Sequence, residues 1–439
     1  MVASIDRIVA TLIAGALILG IAGCGGGSSK GTASPAASAS DAAATAVREQ
    51  RDANLLFQET RTAGDPLDVF SLNSIAQEHL QRARETGDVA EIKLAEDALT
   101  RSIAVRANGN YEGVALLANV NAIKHNFAQA LELARQAIPL KPKEAYAYGV
   151  FGDAYMGLGR YDEADAAYEQ MVTITPDLAA FGRRALLFQV RGETGEAEKS
   201  WKDALKRAEG DGVAEHAAWA NAQLANLYFT LGRVDDASDH YQKSLQIFPG
   251  YVHALAGTAR VAAAKSDYAT AIDYYTRAIN RVPLPEYVTA LGDVYAASGD
   301  SKQAQAQYDL IGAIEQLYTA NGVNLDLQIG LFNADHDRNV AGTVDRAKRA
   351  FETQPSIQAA DVLAWVQFKA GNVADAQTAI EQALRTGSRD PLILFHAGMI
   401  YRAAGDSVRA KQYLEMLAKL APQFSVLYAD VAKRALATL

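Results

Sequence analysis

The sequence has almost no cysteine, no long apolar run and no concentrated basic face. One cysteine, Cys24, occurs in 439 residues. No disulfide can therefore form within the chain, even in an oxidising compartment where such bonds persist. The apolar stretch from Ile8 to Leu19 is shorter than the roughly 20 residues a membrane-spanning helix needs. Net charge is −9 with a pI near 5.4, and the two strongest basic clusters, Arg346-Lys348-Arg349 and Lys433-Arg434, are short and interleaved with apolar residues. Neutralising phosphates takes a concentrated Lys/Arg surface, so nucleic acid is excluded as a partner class.

Catalytic signatures are missing too. The chain has no Gly-x-Ser-x-Gly elbow, no phosphate loop ending in Gly-Lys-Ser/Thr and no His-Glu-x-x-His. Its seven histidines include no pair at helical ligand spacing. Asp335-His336-Asp337 offers metal-type side chains, yet it falls at a turn, where polar residues are ordinary. The reading is a non-enzymatic protein with no metal and no cofactor.

What is present is a period. Ala130, Ala164, Ala197, Ala237, Ala271, Ala304, Ala376 and Ala410 recur at steps of 33 or 34 residues with two longer intervals, and a period of this length marks a repeat architecture. Five residues before the anchor stands a glycine in six copies: Gly159, Gly192, Gly232, Gly299, Gly371 and Gly405. Nine before it an aromatic is common (Tyr155, Phe188, Tyr228, Tyr295, Tyr401), and four after it a second ring (Tyr168, Trp201, Tyr241, Tyr275, Tyr308). Twelve after it a proline closes six copies: Pro142, Pro176, Pro249, Pro283, Pro355 and Pro422. A helical hairpin explains these offsets. Glycine ends the first helix because it accepts positive φ, the small alanine lets two helices approach, the rings fill the gaps beside it, and proline separates one hairpin from the next.

These residues resemble the tetratricopeptide repeat. The copy from Ala145 to Leu178 is the closest to the family pattern, with Tyr148, Phe151-Gly152, Tyr155, Gly159, Tyr161, Ala164, Tyr168 and Pro176 in their expected places. Further copies begin near Tyr111, Leu178, Ala218, Val252, Pro285, Asn324, Ile357 and Pro391, and a weaker one spans roughly Ala76 to Gly109. The copy from Asn324 departs most, with Thr343 at the alanine position and Arg338 where glycine is expected. The resemblance implies an all-α, right-handed α-solenoid of about nine to ten hairpins with a C-terminal capping helix. The longer intervals hold Ala208-Glu209-Gly210-Asp211-Gly212 and Thr319-Ala320-Asn321-Gly322, read as loop insertions between hairpins and as mild hinges.

The N-terminus carries a second resemblance. Leu19-Gly20-Ile21-Ala22-Gly23-Cys24 looks like the bacterial lipobox, in which small residues admit the signal peptidase and the thiol accepts a diacylglyceryl group. The short apolar run ahead of it fits a signal peptide, and the Gly/Ser/Ala-rich stretch behind it fits a tether reaching roughly 25 Å. The expected organisation is a signal peptide at 1–23, lipidated Cys24 and a disordered tether at 24–46, N-terminal helices with a degenerate copy at 47–110, the array at 111–424 and a capping helix at 425–439. Gly25 carries no aspartate retention signal. The lipoprotein resemblance then implies the outer membrane facing the periplasm in a two-membrane bacterium, otherwise the outer face of the plasma membrane.

In the family the first helices line a concave groove. That register places Tyr146 and Met156 early, Trp219 and Phe229 in the middle, and Phe332, Trp365, Phe368, Phe395 and Met399 late. Solvent-facing rings there would anchor an apolar peptide or helix, and removing them would leave stability intact. The family's Lys-Asn carboxylate pair is not matched, since Asn119 and Asn226 are preceded one turn earlier by Ala115 and Ala222. Three functions fit: a lipid-tethered envelope adaptor holding protein or peptide partners, an accessory factor that docks an envelope protease or maturation enzyme and presents its substrates, and a carbohydrate-binding solenoid.

Overall fold

The structure, a computed structural model, describes the backbone from residue 35 and side chains from residue 49. The expected signal peptide, Cys24 and the first part of the tether lie outside the described residues. Helix α1 covers Pro35–Gly64, so residues 35–46 are helical rather than tether. Its first half is alanine-rich, the best helix former, and starts with proline, whose missing N–H is harmless in the first turn.

Ten hairpins follow, and the described residues contain no strand. The first five pair α2 (Val69–Thr86) with α3 (Ala90–Val105), α4 (Tyr111–Ile123) with α5 (Phe127–Ala137), α6 (Ala145–Gly157) with α7 (Tyr161–Ile174), α8 (Leu178–Val190) with α9 (Thr194–Asp211), and α10 (Ala214–Thr230) with α11 (Val234–Ile247). The second five pair α12 (Val252–Ala264) with α13 (Tyr268–Ile279), α14 (Pro285–Ala297) with α15 (Ser301–Ala320), α16 (Asp326–Asp335) with α17 (Val340–Thr353), α18 (Ile357–Lys369) with α19 (Val373–Leu384), and α20 (Pro391–Ala403) with α21 (Ser407–Leu420). A single helix, α22 (Ala429–Ala437), covers the last hairpin. The architecture is an all-α solenoid.

All eight anchor alanines are at most 3 % exposed, as a close helix crossing requires. Gly152 shows why the partner helix is small at the same level: a Cβ there would overlap the ring of Tyr168. The six expected turn glycines all adopt left-handed φ, between 66° and 90°. His125 and Ser266 take that conformation without glycine. In the irregular copy Asp337 and Asn339, on either side of Arg338, have positive φ. The two long intervals are not loops. They lengthen the second helices α9 and α15 to 18 and 20 residues, and the added turn of α15 carries Tyr318 into the core.

The coil is wound so tightly that successive turns touch. His125 Nδ1 lies 2.7 Å from the Asn324 carbonyl oxygen. Tyr161 Oη accepts from the Ile357 amide at 2.8 Å, and Thr386 Oγ1 donates to the Val190 carbonyl at 2.6 Å, each pair 196 residues apart. Turns inside hairpins two to five therefore abut connections six hairpins further on. At this seam Gly159, Gly192 and Gly232 face the carbonyls of Pro355, Gly387 and Leu420 so closely that none has room for a Cβ. The first, second, seventh and eighth hairpins contribute to one apolar cluster that includes Ile75, Leu99, Leu116, Ile123, Val288, Ile311, Tyr318 and Phe332. Arg84, at the end of α2, also reaches Glu215 at the start of α10.

Candidate partner-binding groove

In hairpins two to ten the first helix carries, eleven positions before the anchor, a residue in the register expected to line the groove wall. In order these are Asn119, Asp153, Leu186, Asn226, Arg260, Asp293, Phe332, Trp365 and Met399. The wall is therefore mainly polar through its first six positions and apolar through its last three.

In the polar half the ring that follows the anchor holds the wall residue. Tyr168 Oη donates to Asp153 Oδ1 at 2.8 Å, Tyr241 Oη to Asn226 Oδ1 at 2.6 Å, and Tyr308 Oη to Asp293 Oδ1 at 2.8 Å. Asp153 is further gripped by Arg183, with Nε–Oδ1 2.9 Å and Nη2–Oδ2 2.8 Å, a buried bidentate pair. Arg260 bonds only neutral groups, Asn226 Oδ1 at 2.8 Å and Tyr241 Oη at 2.7 Å, and lies over Phe229 at 4.2 Å. Asn226 is thus spent on Arg260 and Tyr241. His253 Nδ1 pairs with Tyr287 Oη at 2.6 Å, and burial pulls its pKa down to about 4. Burial pushes the Glu286 carboxyl up to about 7, and its Oε2 has no hydrogen-bond partner.

In the aromatic half Trp365 stacks on Phe368 at 5.0 Å and on His396 at 4.1 Å. Its Nε1 donates to Asp335 Oδ1 at 2.7 Å. The chain's own C-terminal segment covers this surface. Tyr428 stacks on Phe395 at 4.6 Å and meets Trp365 edge-on at 5.7 Å, and Phe424 lies 5.6 Å from Phe395. Tyr428 Oη donates to the same Asp335 oxygen at 2.8 Å. Burial raises the Asp335 pKa above the usual carboxylate value, although both hydrogen bonds favour the anion.

The candidate rings are thus not waiting in solvent. Trp219, Phe229, Phe332, Trp365 and Phe395 are 4, 6, 7, 2 and 0 % exposed, and only Tyr146, Phe368 and Met399 are half-buried. The reason is neighbouring rings. Trp219 packs edge-on to Trp201 at 5.4 Å, Phe332 lies against Tyr308 and His336, Phe229 lies under the Arg260 guanidinium, and the tail covers Trp365 and Phe395. Tyr146 Oη and Trp219 Nε1 are buried without a hydrogen-bond partner. Trp365, Phe368, Phe395 and Met399 share one cluster, whereas Tyr146, Trp219, Phe229 and Phe332 are distributed among others. The Asp335-His336-Asp337 run does not converge: Asp335 serves Trp365 and Tyr428, while His336 Nε2 bonds Asp293 Oδ1 at 2.8 Å. The tyrosine hydroxyls and Asp335 were missed by sequence reasoning, which treated the rings as gap filler. The recurring pair of Tyr with Asp or Asn fifteen residues earlier was the available signal.

Models of the tetratricopeptide repeat match residues 145–178, 176–250, 222–285 and 362–423. The chain carries tetratricopeptide repeats. These repeats form the solenoid, and the fold is one that supports protein–protein interaction in general. No curated protein matches the sequence. Among solved structures, the Cut9–Hcn1 hetero-tetramer of APC/C is similar at 13 % identity, covering 89 % of this chain and 94 % of that one with a TM-score of 0.38. A thermophilic TPR protein of Thermus thermophilus, TTC0263, is 22 % identical over 42 % of this chain and 98 % of its own, with a TM-score of 0.37. The human IFIT1 dimer with m7Gppp-AAAA is 14 % identical over 80 % and 90 %, with a TM-score of 0.42. The repeat assignment rests on the sequence models and on the hairpin geometry.

Proposed function

We propose that this protein is a non-enzymatic adaptor of the bacterial cell envelope, tethered by lipid at Cys24, that holds protein or peptide partners along the inner wall of its solenoid. The observation that carries the reading is the wall itself. Hairpins two to ten offer one side chain each at a fixed register, polar at five of the first six positions and apolar at the last three, which suits a partner segment with a polar and an apolar end. The lipobox-like Ile21-Ala22-Gly23-Cys24 supports the tether. Among the described residues no helix is long and apolar enough to cross a membrane.

Two measurements test this. Photo-crosslinking side chains placed at Leu186 and Met399 on the inner wall should capture the same partner, and one at the exposed Val408 should not. Equal capture from all three positions would defeat the groove reading. Labelling with a fatty-acid probe should mark the unaltered chain and not Cys24→Ser, and equal labelling would remove the anchor.

A further inference from the structure

The tail segment Gln423–Tyr428 does something a cap need not do. The end of the array is covered by α22, whose Ala432 and Ala435 are buried. Phe424 and Tyr428 precede that helix and turn inward instead. Tyr428 reaches Asp335, 93 residues earlier, on the first helix two hairpins back. Residues 424–428 are only half-buried, and Pro422 and Gln423 before them are exposed. Its backbone is shaped locally: Ser425 Oγ accepts from the amides of Leu427 and Tyr428 at 3.2 and 3.3 Å. Rings and one phenolic hydrogen bond hold it to the wall. Beneath Trp365, His396 Nε2 is buried without a hydrogen-bond partner.

We infer that Gln423–Tyr428 is a built-in, exchangeable ligand of the aromatic half of the groove, and that the partner it stands in for is a peptide segment with two aromatic side chains four positions apart, the second bearing a hydroxyl. The inference rests on the groove reading above and specifies its ligand. An incoming segment takes the Phe395 and Trp365 faces and the Asp335 oxygen that Phe424 and Tyr428 now occupy, while α22 stays on the end of the array. Exchange of like for like keeps Asp335 and Trp365 Nε1 satisfied throughout, which avoids leaving buried polar groups unpaired.

The test uses the full chain and a fluorescent peptide of residues 421–430. Phe424→Ala with Tyr428→Ala should bind the peptide at least tenfold more tightly than the unaltered chain, whose platform is already filled. A peptide with tyrosine replaced by phenylalanine should bind several-fold more weakly, because it loses the bond to Asp335. Equal binding to both chains, or none to either, overturns the inference. Should the double variant fail to fold, hydrogen exchange on the unaltered chain decides. Amides of 423–428 should exchange faster than those of α20 and α21, and exchange only together with those helices would make the segment a structural cap. Peptide binding to the double variant with no partner captured at Met399 would instead remove the adaptor reading and leave the built-in ligand standing.

Discussion

Two sets of turn glycines look identical in sequence but differ in what lies beyond them, and this difference can be measured. Gly232 and Gly405 both stand five residues before an anchor and have φ of 71° and 79°. Beyond Gly405 there is open space, whereas a Cβ on Gly232 would overlap the Leu420 carbonyl oxygen and sit 3.1 Å from Ala421 Cα. Substitution by alanine places an L side chain in the left-handed region at either site, costing roughly 1–2 kcal/mol. Part of this is offset by about 0.4–1 kcal/mol from a stiffer unfolded chain. Gly405→Ala should therefore lose about 0–1.6 kcal/mol.

Gly232→Ala carries the same backbone term and must also push the seam apart. The obstacle is backbone, which cannot rotate away as a flexible side chain would. Overpacking of this kind costs about 1–3 kcal/mol, so the melting temperature of Gly232→Ala should fall clearly below that of Gly405→Ala. Because repeat arrays need not unfold in one step, the comparison is best made between the two variants under one set of conditions. Small-angle X-ray scattering supplies a second readout, since an opened seam lengthens the coil and raises its radius of gyration. Equal melting temperatures with unchanged scattering for both variants would refute the contact between turns.

Other outcomes follow from buried groups. Glu286 is protonated more readily in the fold than in the open chain, so its contribution to stability falls as pH rises from about 4.5 to about 7. Glu286→Gln should therefore gain on the order of 1–3 kcal/mol over the unaltered chain at pH 8, and this gain should shrink with falling pH and vanish only at about pH 4 or below. Buried His253, held down at about 4, acts in the opposite direction below its usual value, which is why the difference between variants is the quantity to measure. Trp365→Ala should cost about 3–5 kcal/mol, because its ring is buried under Phe368, His396 and Tyr428. Ala164→Leu, at a fully buried crossing, should cost about 1–3 kcal/mol by overpacking; thermal melts check both.

The hairpins were legible because their signals are local. A glycine five residues before an alanine states a turn and a crossing in one short window, and Gly159 or Ala164 can be placed without knowing the rest of the chain. The exceptions were local as well: His125 and Ser266 adopt the left-handed turn with polar side chains, where a search for glycine passes them by. The inserted residues before Gly212 and Gly322 were misread as loops because glycine marks only where a helix stops. Nothing in those letters says that α9 and α15 run on to reach it. The seam was not legible at all. It pairs residues 196 positions apart, and its geometry accumulates from the small rotation between each hairpin and the next.

The groove falls between these cases, and the reason lies in one pair of positions. Where the residue four after the anchor is Tyr168, Tyr241 or Tyr308, the wall residue fifteen places earlier is Asp153, Asn226 or Asp293, and a hydroxyl joins the two. Where that later residue is Ala347, Ile380 or Leu414, the wall residue is Phe332, Trp365 or Met399. A buried carboxylate or amide needs a donor, and an aliphatic neighbour supplies none. The wall is apolar only where the tyrosine is absent, at Leu186 opposite Trp201 and then in every copy from the eighth hairpin on, while Asn119 opposite Ala134 stays polar without it. An apolar wall presented to water would itself be a liability. In this chain Phe424 and Tyr428 cover it, so the surface that replaces the tyrosine-bonded wall is not left to water.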